Sequence, residues 1–365
     1  MTTPMNKLPQ FGESIGEHVG PTFGLYFPLL AAKVDAGEFL EPTEHSYGPL
    51  ERHMYDLYLP PSDVASEKGN AGRKATKLPM IVFIHGGGMV QGDKQIKPCK
   101  GGAHRNIGTF FAKRGYMVII PNYRLRITDP TNPLYNTPQN AQFPSGGIDI
   151  ALLLRHLSAP SCHVSSRIDS AATTLVGNSA GGVHAATYLY RDAIPDFEER
   201  LAPLATDPTL TPSLNQLTPS SVMFIGMPAH FRAATSDRNA VLFGYHCPEL
   251  FDVPAGAAQE GSEAEKEIEM KRMVEERCPV GLRKKSVDQT RVGTMLAQLD
   301  PETEIAGPSR EFTKVYKEVT EKPAEELFIK GHNHISVPLG LGLGGEEEAW
   351  GTQLIEWIEK GREGL

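Results

Sequence analysis

Gly177-Asn178-Ser179-Ala180-Gly181 constrains this chain more than any other stretch, because a serine flanked by glycines stands between the apolar run Thr173-Thr174-Leu175-Val176 and a helix-compatible run, Val183 to Tyr190. A strand that turns directly into a helix at a serine is predicted to form a nucleophile elbow. The serine there takes a strained backbone conformation, and the glycines avoid collision where strand and helix nearly touch. Ser179 is then expected to project its hydroxyl from the top of a sheet.

A second glycine-rich loop, His85-Gly86-Gly87-Gly88, ends an earlier apolar run, Met80-Ile81-Val82-Phe83-Ile84. Attack of a serine on a carbonyl puts negative charge on the carbonyl oxygen, and preorganised main-chain amides aimed at that oxygen stabilise the transition state. The amides of Gly87, Gly88 and Ala180 are the expected oxyanion donors, with Gly86 shaping the turn.

A serine needs a base, and the base needs an orienting carboxylate, following in the order Ser, acid, His. The run Val292 to Leu299 reads as a buried strand ended by Asp300-Pro301, which leaves Asp300 at the strand's C-terminal end, where open α/β sheets place their sites. Glu302 and Glu304 lie close by as rival acids. Glu326 to Ile329 reads as another strand, running into Lys330-Gly331-His332-Asn333-His334-Ile335-Ser336. Either His332 or His334 is the expected base. A His-x-His pair also suits a metal, but no partner cluster stands at metal spacing, and no metal or organic cofactor is expected. His104, His184 and His230, with Asp149 in its apolar helix, are read as structural.

Together His85 to Gly88, Tyr123-Arg124-Leu125, Gly177 to Gly182, Asp300 and His334 resemble the α/β-hydrolase superfamily, specifically its hormone-sensitive-lipase-like carboxylesterases. Asn178 stands where that pattern has an acidic residue, and Met89 where it often has an aromatic. Tyr47-Gly48, Tyr55 to Pro60 and Gly331 to Ser336 resemble the neighbouring kynurenine-formamidase and feruloyl/acetyl-esterase branch. In that branch the base directly precedes an apolar and then a small polar residue, so His334-Ile335-Ser336 selects His334 over His332.

The resemblance implies ester hydrolysis through an acyl-serine: Ser179 as nucleophile, His334 as base, Asp300 as acid. An arylformamidase or lactonase would use the same triad, and a ligand receptor on this fold would be non-catalytic. The implied substrate is a small ester.

Strand-like and helix-like runs alternate: Met80 to Ile84, Ile107 to Arg114, Tyr116 to Pro121, Gly147 to Leu157, Thr173 to Val176, the run to Tyr190, and Ser221 to Gly226. This predicts an α/β fold with a mostly parallel central sheet flanked by helices. Residues 47–226 and 288–365 are expected to form the core, residues 1–46 an N-terminal cap segment, and residues 227–287 a cap insertion before the acid-bearing strand, holding a charged helix from Gly261 to Arg277. Residues 61–77 read as a mobile surface loop, and Glu346 to Lys360 as a final helix covering the sheet. Met89, Met227, Phe231 and Phe243 are expected at the substrate pocket.

At 365 residues with 40% hydrophobic side chains the chain can fill a large core, and a net charge of -8 gives no footprint for nucleic acid or an anionic membrane. No apolar run is long enough for a membrane span, and the first residues lack a secretory core, so a cytoplasmic location is expected. Four cysteines leave pairing open.

Overall fold

The computed structural model describes residues 3–62, 77–205, 217–252 and 262–363. Most of the expected 61–77 loop, and Gly261 at the head of the charged helix, therefore lie outside the described residues.

Eight strands among these residues form one sheet: β1 (Thr43–Ser46), β2 (Met54–Tyr58), β3 (Leu78–Ile84), β4 (Met117–Pro121), β5 (Ile168–Asn178), β6 (Ser221–Ile225), β7 (Arg291–Leu299) and β8 (Glu325–Asn333). Their order across the sheet is β1-β2-β4-β3-β5-β6-β7-β8. The first two strands pair antiparallel at one edge, and from β4 onward every pairing is parallel. Because β1 begins at Thr43, the last four residues of the expected N-terminal cap segment belong to the sheet.

The longer helices are α1 (Ile15–Asp35), α2 (Gly102–Ala112), α3 (Ser145–Ser158), α4 (Ala180–Leu189), α5 (Ser236–His246), α6 (Glu263–Arg277), α7 (Pro279–Lys285), α8 (Gly307–Thr320) and α9 (Ala349–Glu363). The helix expected from Gly261 starts at Glu263, where Ser262 caps the first turn and Glu265 returns the bond in a capping box. The expected last helix starts later than Glu346. Gly345–Glu348 form a 3-10 turn that directs Glu347 inward, and α9 follows it.

Strand β3 shows why the sheet is covered on both sides. All seven of its residues are buried, as a parallel strand between helical layers requires. Met80, Val82 and Ile84 point into one core with Ile148, Leu152, Val183 and Phe312, whereas Ile81 and Phe83 point into the other with Phe110, Phe111, Trp350 and Trp357. This is the two-residue alternation of a pleated strand. Each such fully buried side chain contributes about 1.5–3 kcal/mol.

A third cluster joins Met5, Leu8, Tyr26, Leu30 and Phe39 of the N-terminal segment to Cys99, Ala103 and Leu339. The four cysteines are all buried and free. No described helix is long and apolar enough to cross a membrane.

Candidate active site

Strand β5 delivers Ser179 at its C-terminal end. The residue has φ 52 and ψ -122, a conformation that costs a residue bearing a side chain about 1–3 kcal/mol and persists only where neighbours enforce it. Here the Ser179 amide donates to Ile225 O at 2.8 Å, and α4 starts at once with Ala180. A Cβ on Gly177 would lie 2.6 Å from Gly182 Cα, and one on Gly181 would collide with Ile84 O. The glycines are required because β3, β5 and α4 meet there.

Ser179 Oγ lies 2.9 Å from His334 Nε2, and His334 Nδ1 lies 2.9 Å from Asp300 Oδ1. With a carboxylate facing it, Nδ1 carries the proton and donates, so Nε2 is left as an acceptor for the serine proton. Asp300 itself is held at the end of β7, where its Oδ2 accepts the Ala297 amide at 2.7 Å. The His334 and Asp300 side chains are only 3% and 1% exposed, while Ser179 is partly open to solvent. The rival acids are engaged elsewhere: Glu304 accepts the Ile15 amide and Glu302 pairs with Arg310.

His332 is not brought to Ser179. Its Nδ1 lies 2.9 Å from Ser336 Oγ and its Nε2 3.1 Å from Glu347 O, and burial pushes its pKa down to about 4. It serves the loop's architecture as a neutral ring. Strand alternation would put residues 332 and 334 on one face, but β8 ends at Asn333 and the chain turns there, so the two rings diverge.

The glycine loop passes close over Ser179, and a Cβ on Gly86 would lie 3.1 Å from Ser179 Cβ. Among the described residues, the Gly87 and Gly88 amides donate no hydrogen bond, and Ala180, as the first residue of a helix, has no intrahelical acceptor for its own. Tyr123 fixes the loop from below, its hydroxyl donating to His85 O at 2.8 Å and Gly86 O at 3.3 Å. Arg52 ties Tyr123 O to Gly92 O on the loop's far side.

Two contributors have no signal of their own in the sequence. Gly226, at the end of β6 with φ +54, would place a Cβ 3.0 Å from the His334 ring and 3.6 Å from Asp300 Oδ1. Asn333 sits between the two histidines, accepts from the Ile335 and Ser336 amides, and donates to Thr22 Oγ1 on α1 at 2.9 Å. Glu347 completes the clamp by accepting the Tyr26 hydroxyl at 2.6 Å and the Met5 amide at 3.1 Å.

The residues read as structural stay so. Asp149 is buried against Arg124 and His53; burial pushes its carboxyl up, but those partners hold it well below the ordinary carboxylate range. His104 and His184 are pushed down to about 4 by burial, and His230 is lowered by burial beside Glu311.

The expected pocket side chains pack into apolar clusters. Met89 and Met227 are buried in the main core, Met227 against Gly182 of the elbow. Phe243 packs with Cys247 and Val274, and Phe231 lies partly buried against both clusters. Packing between the helices Ser236–His246 and Glu263–Arg277 absorbs the two phenylalanines. A polar cavity of about 990 Å³ opens between the start of α3, residues 193–200, residues 248–252 and residues 276–285, and none of these four side chains, nor Ser179, lines it.

The BD-FAE family model matches residues 69–209, which hold the glycine loop and the elbow. Esterase B from Lactobacillus Rhamnosis is similar in structure, with a TM-score of 0.57, 17% identity, and coverage of 92% of this chain and 96% of that one. The carboxylesterase Cest-2923 from Lactobacillus plantarum gives a TM-score of 0.56 at 14% identity over 88% of this chain and 98% of its own. The butyrate-bound esterase Est2 from Thermogutta terrifontis gives 0.53 at 16% identity over 86% and 94%. A comparison with curated proteins finds no match. The chain has the α/β-hydrolase fold.

Proposed function

We propose that the protein is a serine carboxylesterase. The observation that carries this reading is the continuous chain from Ser179 Oγ through His334 to Asp300, each link 2.9 Å, at the C-terminal ends of three parallel strands. Ser179 attacks the ester carbonyl while His334 Nε2 takes its proton, and Asp300 stabilises the imidazolium formed. The Gly87, Gly88 and Ala180 amides receive the oxyanion, each worth about 10²- to 10³-fold in turnover. His334 returns the proton to the departing alcohol. Water, deprotonated by the same imidazole, then releases the acid and restores Ser179.

Support comes from the similar structures of esterase B, Cest-2923 and Est2, the first of which is inhibited by a tributyrin phosphonate. We assign α1 and the 227–287 helices to a cap over this end of the sheet. Four buried free thiols support a reducing compartment such as the cytosol. A fluorophosphonate probe is expected to label the protein, and short aryl esters to be hydrolysed, with both lost in Ser179→Ala. Labelling that persists in that variant, or its absence in the native chain, overturns the reading.

A further inference from the structure

We propose that Arg238 recognises a carboxylate on the substrate, so that the preferred esters are anionic. This rests on the serine-esterase reading and narrows it to a substrate class.

Arg238 lies in the first turn of α5, its amide bonded to Thr235 O. Its side chain reaches back over the glycine loop: a Cβ on Gly88 would meet Nη1 at 3.0 Å, Nη2 at 3.2 Å and Cζ at 3.6 Å. Because a Cβ stands about 2.5 Å from its own amide nitrogen, the guanidinium is within about 6 Å of the Gly88 amide. A permanent cation thus sits beside an amide assigned to the oxyanion, on the exposed side of the loop.

The other arginines around this loop are already committed. Arg52 approaches Asp93, Arg124 is bound to Asp149, and Arg126 reaches Asp252 at 2.6 Å. Among the described residues Arg238 has no ion pair and no side-chain hydrogen bond. A planar fork whose Nη groups have no partner among the described residues is the side chain best matched to a carboxylate, which it can hold through two parallel bonds.

The placement also makes sense of charge. The chain carries a formal -8, so an anionic ester meets general repulsion, and a fixed cation next to the nucleophile supplies a local attractor. Gly88 is what lets the guanidinium lie so low, since any side chain there would hold it away from the reacting group. As Arg238 is exposed, the attraction it exerts must weaken with salt.

Two matched substrate pairs test this: 4-acetoxybenzoate against its methyl ester for a charge on the alcohol side, and monomethyl succinate against methyl butyrate for a charge on the acyl side. The native enzyme is expected to favour the anionic member of at least one pair in kcat/KM, chiefly through KM. Arg238→Gln should lower that anionic-to-neutral ratio about tenfold, equivalent to ~1.4 kcal/mol, and Arg238→Lys should retain part of it. The native ratio should also shrink as ionic strength rises. A ratio unchanged in Arg238→Gln, or a native ratio indifferent to salt, overturns the proposal. An equal loss on both members would instead make Arg238 a support for the glycine loop. Failure of the esterase reading is separately visible as no hydrolysis of either neutral ester.

Discussion

The Asn333 side chain donates a 2.9 Å hydrogen bond to Thr22 Oγ1, so a helix near the start of the chain is fastened to the loop that carries His334 more than 300 residues later. Both groups are fully buried, and Asn333 also accepts from the Ile335 and Ser336 amides that shape the loop. The conformation of the base is therefore set partly by α1.

Thr22→Val leaves a buried amide donor unpaired, which costs about 1–3 kcal/mol. The expected result is a lower unfolding midpoint and a fall in kcat with KM little changed, because the imidazole is displaced without loss of binding surface. Asn333→Ala, which also frees two backbone amides, should do more of both. Steady-state kinetics with thermal unfolding of the two variants checks the order.

Gly226→Ala places a methyl 3.0 Å from the His334 ring on a residue with φ +54. The ring must shift by a few tenths of an ångström, and the left-handed backbone itself costs about 1–2 kcal/mol. Turnover should drop at least as far as stability would suggest, and fluorophosphonate labelling of Ser179 should slow in parallel. Native labelling kinetics in the variant would show that the imidazole has room to spare.

Asp300→Asn keeps the shape of the β7 end but supplies an amide where Nδ1–H needs an acceptor. By analogy with other triads, kcat is expected to fall by up to about 10⁴-fold while the fold survives. Circular dichroism and a progress curve on one aryl ester suffice to measure both. An unchanged rate would move the acid away from Asp300.

Buried histidines make stability acid-sensitive. Burial holds His332, His104 and His184 down to about 4, below the ordinary value of about 6.5, so the folded rings stay neutral while the unfolded rings take up protons. The unfolded chain thus binds more protons between pH 6.5 and 4, and stability falls as pH drops through that window, by up to ~1.4 kcal/mol per pH unit for each ring. Above pH 6.5 the contribution is complete. Denaturant midpoints at pH 7 and 5 should differ, and the difference should narrow in His332→Gln.

The elbow and the glycine loop were legible because close approach of backbones leaves a local signature: Gly177 and Gly181 are where a Cβ has no room. Asp300 and the His332/His334 pair stood out as residues that end apolar strand runs, and only the resemblance of His334-Ile335-Ser336 to a family pattern chose between the two histidines. What escaped notice has no period and no neighbour in sequence. The Thr22–Asn333 and Tyr26–Glu347 bonds join single polar residues across more than 300 positions, and nothing in either segment announces the other. The expected pocket side chains carry a weaker signal. Apolarity near a nucleophile suits a core as well as a binding surface, and Met89 and Met227 went to the core.

The described residues of 227–287 lie outside the sheet between β6 and β7, whereas Ser179 and His334 stand at the ends of strands outside that excursion. On the proposed reading, bond cleavage falls to residues on the strands, and substrate preference, through Arg238, to this excursion. If so, a transplant of this excursion from an esterase of the same architecture would retune what is accepted, with the machinery that breaks the bond left in place.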